Sequence, residues 1–229
     1  MLEVARLDAG YGPARVLHDV RLAVRPGEMV FVVGRNGAGK TTLLKTIAGL
    51  LPPTAGEIRF EGRLVAGLPP ERRARMGFRY VNQEKRVFSR LSVRSNIELA
   101  ARGAGVSFES AWSRAVALYP KLDEFRELPA GRLSGGQREI LLIGRALAGQ
   151  PRLLLIDEPT EGLAAIVIED ILRILECMRQ SVSAIIVEQN LTVVRRLADR
   201  IYVMKEGRIV HEIADPRQLA GSEQLECFL

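Results

Sequence analysis

The chain has 229 residues, 47% of them hydrophobic, which is enough to fill one ordinary core or one core with a small appended subdomain. Its formal net charge of +6 comes mostly from arginines scattered among acids, without a long basic tract or interleaved aromatics, so we expect no nucleic-acid partner. The two cysteines, Cys177 and Cys227, are neither closely spaced nor accompanied by a histidine cluster, which excludes a zinc or disulfide framework.

The longest apolar runs, residues 29–33, 153–156 and 184–187, are far shorter than the roughly 20 residues of a membrane-spanning helix. The first residues lack a basic region followed by an apolar one, so no secretory signal is visible. We therefore expect the chain to remain in the cytoplasm.

Two kinds of strand pattern occur along the chain. Residues 3–7, 20–24 and 57–60 show period-two or β-rich patterns bounded by Gly and Pro, which predicts an antiparallel layer. By contrast, the three apolar runs are nearly continuous, as expected of parallel strands covered on both faces. Helical patterns at 40–49 and 165–180 follow the first and second runs, and this alternation predicts an α/β fold with a doubly wound parallel central sheet.

The remaining segments have different patterns. Residues 91–128 look helical, with helices at 96–101 and 108–118 separated by a Gly-rich break, so we expect a helical subdomain there. Near the end, residues 201–205 and 208–212 flank a Gly turn and predict a hairpin.

One motif begins directly after the first apolar run. Residues 34–41 match the pattern of a phosphate-binding loop and open a predicted helix. Glycines permit backbone N–H groups to turn inward toward phosphate oxygens, and the helix N-terminus adds partial positive charge. In this pattern Lys40 neutralises the terminal phosphates and the Thr41 hydroxyl ligates Mg²⁺. The predicted nucleotide-binding residues of this segment are Gly34, Arg35, Asn36, Gly37, Ala38, Gly39, Lys40, Thr41 and Thr42.

Two acidic residues, Asp157 and Glu158, directly follow the apolar run at 153–156. The carboxyl end of a buried strand is where an open α/β sheet binds ligands. Because the chain also has a phosphate loop, we predict that Asp157 coordinates Mg²⁺ rather than only capping a helix. Glu158 points in a different direction and is the predicted general base, which accepts a proton from the attacking water or orients it.

A third motif, Leu133-Ser134-Gly135-Gly136-Gln137, resembles the signature sequence of ABC ATPases and distinguishes the chain from kinases and small GTPases. With the phosphate loop and Asp157-Glu158-Pro159-Thr160, the resemblance extends over essentially the whole chain. Ser134 and the two glycines precede a helix expected to begin near Gln137, which makes a second anion-binding helix terminus.

The resemblance implies one ABC ATPase domain over residues 1–229. Its P-loop NTPase core and N-terminal antiparallel β layer would occupy 1–84 and 135–229, with an inserted helical subdomain that carries the signature motif at about 85–134. ATP and Mg²⁺ are the implied cofactors. In the family the signature faces the nucleotide of another subunit, which implies a dimer with a second ABC ATPase subunit, identical or related. The other implied partners are transmembrane permease subunits and, indirectly, a periplasmic or extracellular substrate-binding protein, which would place the chain at the cytoplasmic face of the membrane.

The resemblance also implies roles for Tyr11 and Gln83. Tyr11, followed by Gly12, is similar to the aromatic that stacks on adenine in the family, although a lone Tyr is usually a packing residue. Gln83 resembles the glutamine that touches Mg²⁺ and the attacking water, the alternative being an exposed loop amide.

Two positions depart from the commonest family pattern. Gln189 occupies the slot where most members carry a histidine that contacts the γ-phosphate, and its amide can donate one hydrogen bond there without carrying a positive charge. We place Gln189 with Lys40 and Glu158 among the predicted catalytic residues. Ala164 stands where the acid of the dimer-contact loop is usually found, so communication across the dimer must use other groups.

These departures are similar to a subgroup of the family. Residues 161–164 and 187–190 resemble the ATP-binding subunits of branched-chain amino acid importers, and the closely similar urea importers share both patterns. Gln83 and residues 34–37 lean toward the urea type. We therefore expect the ATPase subunit of an importer that takes up branched-chain or related amino acids, with urea or short-amide import as the alternative.

Two rival function classes have less support. A soluble ABC ATPase of DNA repair or translation generally adds zinc modules, long coiled coils or a second ATPase domain, and no such segment is visible in the sequence. A P-loop kinase of small molecules would have no use for residues 133–137.

Overall fold

A computed structural model describes residues 1–84, 86–179 and 181–216. Its strands, in chain order, are β1 (Leu2–Tyr11), β2 (Ala14–Val24), β3 (Met29–Val33), β4 (Pro53–Phe60), β5 (Arg63–Leu64), β6 (Phe78–Val81), β7 (Leu153–Asp157), β8 (Ser183–Val187), β9 (Arg200–Lys205) and β10 (Arg208–Ile213). Its helices are α1 (Lys40–Ala48), α2 (Pro70–Arg75), α3 (Val93–Ala104), α4 (Phe108–Leu118), α5 (Gly135–Ala148), α6 (Ala165–Met178) and α7 (Leu191–Leu197). Cys227 and the last residue of the helix predicted at 165–180 lie outside the described residues.

The strands of these residues form two sheets. Four antiparallel strands have the order β2-β1-β4-β5, and six strands have the order β10-β9-β3-β8-β7-β6. In the larger sheet all neighbouring pairs are parallel except β10, which is antiparallel to β9. This arrangement confirms the predicted antiparallel layer, parallel central sheet and closing hairpin.

The continuous apolar runs arise because both faces of the central sheet are covered. Along β3, Val30 and Val32 belong to the core beside the antiparallel layer and α1, whereas Phe31 and Val33 belong to the core beside α5, α6 and α7. Because successive side chains of a strand point to opposite faces, neither face can tolerate polar residues. The strands therefore carry no polar alternation, as the sequence predicted.

The helical segment has a small core of its own. Ile97 of α3, Trp112 of α4 and Leu141 of α5 lie in this third cluster, while Ile140 and Ile143 of α5 face the central core. The amphipathic helix α5 thus joins the helical segment to the central sheet. None of the helices in the described part of the chain is long and apolar enough to cross a membrane.

The start of α5 differs from its prediction near Gln137, because the helix begins at Gly135. Ser134 Oγ accepts a hydrogen bond from Gln137 N at 3.2 Å, and Gln137 Oε1 accepts one from Ser134 N at 2.8 Å. This reciprocal capping fixes the helix start at Ser134, so both glycines lie in the first turn rather than before it. Similarly, α3 begins at Val93, before the predicted position, because Ser92 caps it.

Candidate active site

The phosphate loop connects β3 to α1 at the carboxyl end of the central sheet. Gly39 caps α1 with a left-handed φ of 103°, which is costly for a residue with a Cβ. A Cβ at Gly34 would lie 2.2 Å from the carbonyl oxygen of Met204 on β9. The turn after β9 also holds the loop, because Gly207 N donates to Ala38 O at 2.9 Å. The first part of the loop is exposed, at Arg35, Asn36 and Gly37. The residues that follow include three buried ones, Ala38, Lys40 and Thr42.

Lys40 folds back over this loop and is only 5% exposed. Its Nζ donates to the carbonyl oxygens of Gly34 at 2.7 Å and Arg35 at 3.1 Å. The same nitrogen lies 3.5 Å from Glu158 Oε1. A buried positive charge is therefore held between the loop and the carboxylate that follows β7.

Thr41 and Asp157 meet where the start of α1 lies beside the end of β7. Thr41 Oγ1 donates to Asp157 Oδ1 at 3.2 Å, and the Tyr80 hydroxyl donates to Asp157 Oδ2 at 3.1 Å. Burial raises the pKa of Asp157, and these two hydrogen bonds oppose that increase. Burial and the nearby charge of Asp157 raise the pKa of Tyr80, so its hydroxyl remains a neutral donor.

The oxygen atoms of Thr41 and Asp157 fit Mg²⁺. This hard cation is usually bound by one or two carboxylates together with substrate phosphates, not by a full cage of protein ligands. The described residues contain no group of three or more His, Cys, Asp or Glu that could hold a metal ion.

Glu158 is the centre of the polar contacts at this edge. Its Oε1 accepts a hydrogen bond from Gln189 Nε2 at 2.7 Å, and its Oε2 accepts one from Gln83 Nε2 at 3.1 Å. Its backbone has a φ of 51°, a left-handed conformation that is uncommon outside glycine. The structure thus brings three predicted site residues, Lys40, Gln83 and Gln189, to one carboxylate that is 6% exposed.

The two amides around Glu158 also reach other loops. Gln189 Nε2 donates to Asn36 Oδ1 at 2.7 Å, so both hydrogens of this amide are used. Gln83 Nε2 donates to Glu161 Oε2 at 2.8 Å. One hydrogen-bond network therefore connects the phosphate loop with the segments that follow β6, β7 and β8.

Tyr80 and Glu188 also belong to this site, and neither was predicted from the sequence. Glu188 directly follows β8, is 2% exposed and accepts hydrogen bonds from Thr160 and from the backbone at Gln189. An acid directly after the apolar run at 184–187 is the same signal that pointed to Asp157, and it could have identified Glu188. Tyr80 lies in β6, a short strand with two half-buried residues that has no continuous apolar run.

Two predicted elements lie outside this network. Ser134 and Gln137 bond each other in the cap of α5, Gly135 is exposed, and a Cβ on Gly136 would lie 2.4 Å from Val167 of α6. Tyr11, at the end of β1, has an exposed fraction of 48%, which leaves its ring accessible.

Residues 17–161 match the ABC transporter family, which is more than half of the chain. Over 231 aligned residues, the chain is 42% identical to the high-affinity branched-chain amino acid transport ATP-binding protein BraG of Pseudomonas aeruginosa, with 100% of this chain and 99% of that protein covered. It is 34% identical to the probable branched-chain amino acid transport ATP-binding protein LivF of Archaeoglobus fulgidus, and the alignment covers 91% of this chain and 90% of that protein. It is 35% identical to the lipopolysaccharide export system ATP-binding protein LptB of Escherichia coli K12, and the alignment covers 91% of this chain and 88% of that protein.

Solved structures give the same result for the fold. The ATP binding subunit of an ABC transporter superposes with a TM-score of 0.83 at 30% identity, covering 93% of this chain and 89% of that chain. A dimeric bacterial ABC transporter cassette superposes with a TM-score of 0.81 at 26% identity, covering 93% and 98%.

Proposed function

The chain belongs to the ABC transporter family, and from that premise we propose that it powers the uptake of branched-chain or related amino acids across the cytoplasmic membrane. It is an ATPase subunit of this family. The observation that carries the substrate proposal is the 42% identity to a branched-chain amino acid transport ATP-binding protein over the full length of both chains.

The geometry supports a division of roles at the carboxyl end of the central sheet. Lys40 and the backbone N–H groups of the phosphate loop neutralise the terminal phosphates of ATP. Thr41, Asp157 and the amide oxygen of Gln83 would hold Mg²⁺, which would neutralise charge developing on the phosphate oxygens. Glu158 orients the attacking water and accepts its proton. Its carboxylate comes directly after the proposed metal ligand Asp157 in the sequence, but it points toward Gln83 and Gln189.

Gln189 contacts the γ-phosphate in this proposal. Its amide now donates to Glu158 and Asn36, so it must give up one of these bonds to reach a phosphate oxygen. Tyr11 supplies the face on which the adenine stacks, for which its exposure leaves room.

The site is completed by a second subunit. Ser134, Gly135, Gly136 and Gln137 form a helix terminus that shares no hydrogen bond with the network around Glu158 in the described part of the chain, and it can bind the phosphates of a partner's nucleotide. A related cassette is known as a dimer, which supports two composite sites between head-to-tail copies or between this chain and a related ATPase.

In our proposal, the permease subunits contact the surface formed by the residues that follow Gln83 in the chain. Phe88 is 50% exposed, and the guanidinium of Arg145 lies 4.7 Å from its ring centroid, so the aromatic is held in place at the surface. Permease subunits resting near Gln83, Val87 and Phe88 would transmit the movement of the ATPase. The chain then lies at the cytoplasmic face of the membrane as one domain over residues 1–229, with residues 85–134 as its helical subdomain.

Reconstituted uptake tests the proposed substrate. Any permease and binding-protein genes found beside this one would be expressed with the chain, and the proteins would be reconstituted with vesicles supplied with internal ATP. We expect ATP-dependent uptake of labelled leucine that the Lys40→Ala variant does not support. Uptake of urea but not leucine would favour the alternative importer type, and outward lipid movement would contradict import.

A further inference from the structure

Glu188 is a buried carboxylate that the roles above do not use. Its Oε1 accepts hydrogen bonds from Thr160 N at 3.0 Å and Thr160 Oγ1 at 2.5 Å. Its Oε2 accepts hydrogen bonds from Gln189 N at 2.8 Å and Asn190 N at 2.9 Å. Four donors from two different loops therefore point at one side chain that is 2% exposed.

A carboxylate suits this arrangement better than an amide. It accepts at both oxygens and donates at neither, whereas a glutamine must place an NH₂ group at one of the two positions. At the Oε2 position, that group would face two backbone N–H groups. At the Oε1 position, the Thr160 hydroxyl could turn to accept, but the Thr160 N–H would lose its partner.

The two loops joined by Glu188 carry Glu158 and Gln189. Glu158 lies two residues before Thr160 and has the left-handed φ of 51°. Such backbone conformations persist only where surrounding contacts hold them. The contacts here include the bond from Glu158 N to Val187 O at 3.0 Å, the bond from Glu161 N to Glu158 O at 3.3 Å and the two bonds from Thr160 to Glu188.

We propose that Glu188 is a positioning residue for ATP hydrolysis, which locks the loop of Glu158 to the loop of Gln189 so that their side chains keep one relative position. This inference rests on the proposed roles of Glu158 and Gln189. Because Glu188 touches neither the phosphate loop nor Lys40 by any hydrogen bond of the described residues, ATP binding does not need it.

The test compares the kcat and the ATP KM of purified variants. We expect Glu188→Gln to lower kcat by about tenfold or more, since misplacement of a reacting group by a fraction of an ångström is costly, while KM changes by less than about threefold. Thr160→Val should lower kcat less, because only the hydroxyl donor is lost. Thr160→Ser keeps both the backbone N–H and the hydroxyl donor, so this variant should retain the parental kcat.

Glu28→Gln is the matched control for loss of a buried carboxylate. Glu28 is 8% exposed and bonds Arg25 N and Arg200 Nε at the opposite end of the central sheet. We expect this variant to lower the melting temperature without lowering kcat. We also expect the double variant Glu188→Gln/Gln189→Ala to lose less kcat than the product of the two single fold-losses. The reason is that both residues act on one unit.

Each outcome decides a separate point. A Glu188→Gln protein that keeps kcat within about twofold of the parent overturns the positioning role, as does an equal loss of kcat in Glu28→Gln. If Glu188→Gln fails to fold, the difference in kcat between Thr160→Val and Thr160→Ser decides instead, and no difference overturns the inference. If Glu158→Gln and Gln189→Ala also leave kcat unchanged, the proposed site itself fails.

Discussion

Gln189 donates its side-chain amide to Glu158 across two neighbouring parallel strands, with 2.7 Å between Gln189 Nε2 and Glu158 Oε1. The same nitrogen donates to Asn36 of the phosphate loop at 2.7 Å. A neutral amide thus lies between the carboxylate proposed to activate water and the loop proposed to hold the phosphates.

Gln189→Ala should impair hydrolysis more than ATP binding, because the amide positions Glu158 and contacts phosphate but carries no charge. We expect kcat to fall by roughly tenfold with little change in nucleotide affinity, measured by steady-state turnover and by fluorescence of a labelled ATP analogue. Gln189→Glu should be worse than Gln189→Ala, since it places a second carboxylate opposite Glu158. Unchanged turnover in both variants would show that the site does not need this amide.

Lys40→Ala should abolish turnover because it removes the buried positive charge from the phosphate loop. We expect kcat/KM to fall by at least about a hundredfold, the scale seen when a preorganised electrostatic contact is lost. Lys45→Ala is the matched control, since Lys45 lies in the last turn of the same helix. Equal activity of the Lys40→Ala protein and the control would argue against phosphate neutralisation by Lys40.

Asp157→Asn should weaken Mg²⁺ binding while keeping the shape of the site. We measure the Mg²⁺ concentration that gives half-maximal protection of the ATP-bound protein against heat. Loss of an outer-shell partner of a metal ligand lowers metal affinity by roughly 10- to 100-fold. Because Asp157 is proposed as a direct ligand, this Mg²⁺ concentration should rise by more than that factor. Asp170→Asn serves as the control, because Asp170 lies on α6 and accepts a long hydrogen bond of 3.4 Å from the Tyr119 hydroxyl. The same Mg²⁺ midpoint in both variants would contradict metal binding at Asp157.

Arg73→Met should destabilise the fold without touching the site. Arg73 is 1% exposed, and burial lowers the pKa of its guanidinium to about 10, so it remains charged at neutral pH. The side chain donates to four backbone carbonyls, those of Thr46, Ile47, Ala66 and Leu68. Removing these donors should lower the free energy of unfolding by about 3–5 kcal/mol in urea denaturation. The same substitution at the exposed neighbour, Arg72→Met, should change the free energy of unfolding by less than about 0.5 kcal/mol. Equal losses would contradict a stabilising role for the hydrogen bonds of Arg73.

Much of the fold was predictable because the central strands have both faces covered. Met29–Val33 and Leu153–Asp157 are nearly free of polar residues for that reason, and their apolar runs fixed the sheet and the position of Asp157. Strand β6 escaped prediction because it lies at the sheet edge, where Arg79 and Tyr80 are only half-buried. The start of α5 was placed too late because the reciprocal cap between Ser134 and Gln137 was not recognised.

The site was predictable where one motif carries the chemistry. The phosphate loop, Asp157 and Glu158 follow strands directly, so strand position alone places them at one edge of the sheet. The bond between Thr160 and Glu188 was not predictable, because these residues are 28 positions apart and meet only when β7 pairs with β8.

The behaviour of Glu158→Gln with ATP tests the central claim most directly. The variant keeps the shape of the side chain but cannot accept the proton of water, so ATP should bind and hold two subunits together without being cleaved. Analytical ultracentrifugation with ATP should then show a stable dimer of the variant, and turnover should fall to a small fraction of the parental rate. A variant that hydrolyses ATP at the parental rate and sediments as a monomer would contradict the account.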